Sequence, residues 1–109
     1  MAGPGNAIEL VYEERGEGMP VVLLHGFPMD HTIWRAQQAA LSDRYRIITP
    51  DLRGHGETPN PAPDLHFNRF VEDVLEFIYL LGRAPVHGLG YSLGGGVTLY
   101  AAQQRPELF

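Results

Sequence analysis

The chain has 109 residues, 44% hydrophobic and 19% charged, with thirteen acids against eight arginines and a formal net charge of −5. This composition fits one small globular domain, residues 1–109, and excludes a disordered tail. No lysine is present and the arginines are scattered, mostly as expected surface positions, so no basic cluster neutralises phosphates and nucleic acid is excluded as a main partner. Without cysteine there are neither disulfides nor thiolate zinc sites.

Residues 1–6, rich in Gly and Pro, read as a flexible lead-in. They lack the charged and apolar regions of a signal peptide, and no apolar run approaches the roughly 20 residues of a membrane span, so a cytoplasmic protein without membrane contact is expected. Ile8–Glu13 alternates partially with acids, as a half-exposed strand near a sheet edge does. After a turn over 15–20, Val21–Leu24 is a continuous apolar run, the signature of a strand covered on both faces in a parallel sheet. The spacing of Ile33, Trp34, Gln37, Gln38 and Leu41 predicts a short helix over 32–41, capped by Asp30 or Thr32.

Arg46–Pro50 is a predicted strand, followed by a loop over 51–58 and a proline-rich crossover over 59–63. Phe67, Phe70, Val71, Val74, Leu75 and Ile78 mark one face of a helix over 67–81, with Glu72, Asp73 and Glu76 expected on the opposite side and Gly82 as its C-cap. Val86–Leu89 is a last strand and 93–104 a last helix. Strand, strand, helix, strand, helix, strand, helix is the alternation of an α/β fold with a mostly parallel sheet and flanking helices.

Gly90-Tyr91-Ser92-Leu93-Gly94 stands between the last strand and the last helix. A serine on so sharp a turn needs small neighbours two positions away on either side, which Gly90 and Gly94 supply. The same glycines also suit a packing turn, or a helix N-terminus that holds an anion. A Walker-type phosphate loop is excluded, since it requires a lysine.

His25-Gly26-Phe27-Pro28 follows one strand and Asp51-Leu52-Arg53-Gly54-His55-Gly56-Glu57-Thr58 the next. With the Ser92 pentapeptide, in that order and spacing, they closely resemble the α/β-hydrolase family, serine-nucleophile branch, from about Ile8 to Phe109. The resemblance is to the N-terminal half of a member similar to small esterases, enol-lactonases and C–C bond hydrolases; dehalogenases and many epoxide hydrolases carry aspartate where this chain has Ser92. It implies that Ser92 is the nucleophile, that the backbone N–H groups of Phe27 and Leu93 form the oxyanion hole, and that His25 and Gly26 support it. It also implies a small-molecule acyl substrate and neither a metal nor an organic cofactor. Met29 and Trp34 are pocket candidates, with core packing the safer reading for Trp34. His55 reads as a structural organiser of its loop, Asp51 and Arg53 as a local ion pair, His31 and His66 as surface or helix-start residues, and His87 as a core or half-buried strand residue.

The family's triad runs serine, acid, histidine, whereas every histidine here precedes Ser92 and Glu107 is the sole acid after it. The chain therefore reads as the N-terminal part of a longer hydrolase, lacking the later strands and any cap, and inactive or very weak by itself. Alternatives are a non-catalytic binding or scaffold module, or a fragment complemented by a second chain. An unpaired edge at 86–89 would favour self-association or such a complementing partner.

Overall fold

In the computed structural model, which describes residues 7–61 and 66–109, four strands form one sheet in the order β1-β3-β2-β4. Strands β1 (Tyr12–Arg15) and β2 (Met19–Leu24) come first, α1 (Arg35–Leu41) leads to β3 (Tyr45–Pro50), α2 (Phe67–Leu81) leads to β4 (His87–Gly90), and α3 (Leu93–Gln104) follows. Strand β2 pairs in parallel with β3 and β4, while β1 runs antiparallel on the far side of β3. The predicted α/β class holds, and the C-terminal ends of β2, β3 and β4 share one rim. The lead-in at 1–6 and part of the crossover, 62–65, lie outside the described residues.

Strand periodicity divides the core. Val22, Leu24 and Ile48 face α2 and α3, whereas Leu23 and Ile47 project oppositely onto Trp34. This double burial accounts for the apolar runs in β2 and β3. Trp34 is thus a core residue, at the end of a short 3-10 turn (His31–Trp34) that precedes α1. Asp30 caps that turn by accepting the Thr32 N–H at 2.8 Å.

The α2 boundaries match the apolar period, and Gly82 ends the helix in the left-handed region at φ +67°. Two expectations fail. Strand β1 begins at Tyr12 rather than Ile8, and its four side chains are all exposed. Asp73 is not on the solvent side of α2 but fully buried. It falls three residues after Phe70 and four before Phe77, on the stripe that faces the core. No described helix is long and apolar enough to cross a membrane.

Candidate active site

Strand β4 passes into α3 through a turn at which Ser92 adopts φ +54°, ψ −113°, alone in positive φ among the described non-glycine residues. A side chain held there stores strain of about 1–3 kcal/mol. Close backbone contacts impose it. A Cβ on Gly90 would stand 2.1 Å from the Gly94 carbonyl oxygen, and one on Gly94 would stand 2.2 Å from that of Leu24. Gly95 and Gly96 have more room, their nearest contacts being 3.3 and 3.5 Å. The Tyr91 N–H donates to Leu24 O at 3.0 Å and the Gly94 N–H to Tyr91 O at 2.9 Å, fixing the turn to the end of β2. Ser92 itself is exposed.

The segment leaving β2 lies beside this turn. A Cβ on buried Gly26 would meet the Ser92 Cβ at 3.2 Å, the Tyr91 carbonyl oxygen at 3.0 Å and the Tyr91 ring at 3.1 Å. Phe27, which follows, is 60% exposed. The N–H groups of Phe27 and Leu93 find no acceptor among the described residues. Both are backbone donors left free next to an exposed hydroxyl.

Histidines organise the support beneath. The Leu52 N–H donates to His25 Nε2 at 2.9 Å, so His25 carries its proton on Nδ1, which donates to Gly26 O at 2.8 Å. Burial, partly offset by the Gly26 bond, holds the His25 pKa below its ordinary value and keeps the ring neutral. His55 is likewise buried; its Nδ1 donates to Arg53 O at 2.9 Å and its ring packs against His25 at 5.0 Å and Phe27 at 5.3 Å between centroids. Each histidine ties down loop backbone through at least one ring nitrogen.

The other polar assignments change. Asp51 and Arg53 do not pair. Arg53 is fully buried rather than a surface arginine, and pairs with Asp73. Asp51 Oδ1 instead accepts the His31 N–H and His31 Nδ1–H, each at 2.8 Å, and Oδ2 accepts the Glu57 N–H at 3.0 Å. His31, expected at the surface or at a helix start, opens the 3-10 turn with a side chain only 11% exposed. His87 is exposed on β4, not half-buried, and His66 flanks the start of α2. The sequence signal for the His31–Asp51 pair was weak, since twenty residues separate them.

None of these side chains supplies Ser92 with a base, as no described residue hydrogen-bonds its hydroxyl. The arrangement offers a strained, exposed serine and two free backbone donors on one rim.

The family model that matches residues 19–109 is that of the alpha/beta hydrolase fold. The chain is 37% identical over 97 residues to (E)-2-((N-methylformamido)methylene)succinate hydrolase of Acinetobacter baylyi, covering 89% of this chain and 37% of that protein. It is 35% identical to a soluble epoxide hydrolase of a Corynebacterium species, covering 94% and 36% respectively. Among solved structures, a thermophilic esterase of Thermogutta terrifontis superposes with a TM-score of 0.84 at 36% identity, over 90% of this chain and 36% of that one. The chain thus spans little more than a third of the length of these relatives. Fold, ordered motifs and relatives agree: the chain belongs to the alpha/beta hydrolase fold family.

Proposed function

We propose that this chain carries the nucleophile and oxyanion hole of a serine hydrolase acting on a carboxylic ester, lactone or related small acyl substrate. The observation that carries the reading is the strained Ser92, set between Gly90 and Gly94 and against Gly26. In this scheme the Ser92 oxygen attacks the acyl carbonyl and the charge developing on the carbonyl oxygen is taken up by the Phe27 and Leu93 N–H groups, each donor contributing on the order of 3 kcal/mol. Leu93 opens α3, so the helix dipole favours the same charge. Collapse of the tetrahedral adduct breaks the acyl C–O bond. The departing oxygen takes up the proton lost by Ser92 and leaves as an alcohol (tethered to the acyl group in a lactone), and the acyl-Ser92 ester is left for water to cleave. A serine hydroxyl is a weak nucleophile without an adjacent base, and the isolated chain is accordingly inactive or very weak.

A second reading is favoured by one observation. The outer edge of β4 is unpaired among the described strands, and Leu89 on β4 and Leu99 on α3 are 52% and 74% exposed. A second polypeptide covering this side would make the chain one part of a complemented enzyme; a binding module without chemistry would use it as a scaffold.

A fluorophosphonate probe followed by peptide mass spectrometry tests the catalytic reading. Slow adduct formation confined to Ser92, lost in Ser92→Ala, is expected. Labelling spread over other hydroxyls at the same rate would sink it.

A further inference from the structure

His31 sits where two carboxylates meet one imidazole. Its Nδ1 is 2.8 Å from Asp51 Oδ1, and its buried Nε2 has Glu13 Oε2 at 3.4 Å and no shorter partner among the described residues. A neutral imidazole always leaves one ring nitrogen as an acceptor. In either tautomer that lone pair would here confront a carboxylate. Only the doubly protonated ring suits both, donating to Asp51 and facing Glu13 with a positive charge at 3.4 Å without a hydrogen bond.

Of the other charged groups around the ring, Asp30 precedes it in the loop and favours its charge, Arg35 from α1 lies 3.7 Å from the same Glu13 Oε2 and competes for it, and His25 after β2 is held neutral. Burial opposes the charge most strongly, but the bond and charge of Asp51, with Glu13 and Asp30, outweigh it and raise the His31 pKa above its ordinary value.

The ring joins the edge strand to two of the loops at the strand ends. Glu13 belongs to β1, and Asp51 holds the loop after β3 through the Glu57 N–H. His31 ends the segment that carries Phe27, whose near end is closed by the Met29 N–H bond to Gly26 O at 2.8 Å. We propose that His31 acts as an imidazolium clamp between Glu13 and Asp51, a positioning residue that sets the Phe27 segment beside Ser92. Its relevance to catalysis rests on the oxyanion role of Phe27, whereas the clamp itself does not.

The test is a ¹⁵N NMR titration of the 109-residue chain from pH 5 to 9, with Glu13→Gln and His31→Gln. Glu13 is partly exposed, so Glu13→Gln leaves the fold intact. The expected result is that both His31 ring nitrogens are protonated at pH 6.5, and that the Phe27 amide shift follows the His31 midpoint. Glu13→Gln should lower that midpoint by about half a pH unit or more. In His31→Gln the Phe27 response above pH 6.5 should vanish, while the one linked to His25 at lower pH persists.

A His31 ring that is mostly neutral at pH 6.5, a midpoint indifferent to Glu13→Gln, or a Phe27 amide silent through the His31 titration would each overturn the clamp. Fluorophosphonate labelling of Ser92 reads the catalytic assignment separately, so either can fail without the other.

Discussion

The guanidinium of Arg53 meets the carboxylate of Asp73 twice, Nε to Oδ2 and Nη2 to Oδ1, each at 2.8 Å, with both side chains buried. Asp73 Oδ1 also accepts the Ile8 N–H at 2.9 Å, so one carboxylate joins α2, the loop after β3 and the segment before β1. Removing Arg53 leaves the Asp73 carboxylate buried with only the Ile8 N–H to meet it. Arg53→Met should therefore cost about 3–5 kcal/mol in urea unfolding, and Arg53→Met with Asp73→Leu together should cost less than Arg53→Met alone. A double variant less stable than Arg53→Met would contradict this.

The elbow glycines should differ sharply in tolerance. Gly90→Ala and Gly94→Ala place a methyl group on backbone atoms that cannot yield, and each should prevent folding or destabilise by more than about 3 kcal/mol. Gly96→Ala meets only the rim of the Phe67 ring at 3.5 Å. Its gain in helix propensity, up to about 1 kcal/mol, should appear as a raised melting temperature.

Two substitutions at Ser92 separate strain from chemistry. Both Ser92→Ala and Ser92→Gly should abolish probe labelling. Glycine also occupies φ +54° without strain, recovering about 1–3 kcal/mol against an entropic loss of about 0.5–1. Ser92→Gly should thus be the more stable of the two by up to about 2.5 kcal/mol in urea melts, and a less stable Ser92→Gly would show that the turn stores too little strain to offset the entropic loss of about 0.5–1 kcal/mol.

Stability should peak near pH 6.5. The His25 pKa is depressed in the folded chain, so its contribution is present above the unfolded value of about 6.5 and lost as pH falls through the folded one. The His31 pKa is raised, so its contribution is present below about 6.5 and lost as pH climbs through the folded one. Urea midpoints from pH 5 to 9 should fall on both sides, and His31→Gln should flatten the alkaline side alone.

Much of this was legible in the sequence where a signal is local. The α2 helix follows from a fifteen-residue apolar period, and the Ser92 turn follows from glycines at fixed offsets. The pairing of charges was not local. Arg53 and Asp73 are twenty residues apart, and so are His31 and Asp51, on segments that only the crossover between strands brings together. The charge of Asp73 points to solvent, but its place between Phe70 and Phe77 puts it on the buried stripe. Tyr12 begins β1 because pairing with Pro50 of β3 sets the register, which no property of Ile8–Glu13 reveals.

Because β2, β3 and β4 run the same way, the segments leaving them crowd one rim, and the opposite rim carries the exposed stretch Gly82–Pro85. A dye or surface tether coupled through Arg83→Cys, the sole thiol in the chain, would therefore sit on the far side from Ser92. Chains immobilised this way present the serine outward in a uniform orientation, so probes and candidate partner polypeptides can be screened on a chip without occluding the rim they must reach.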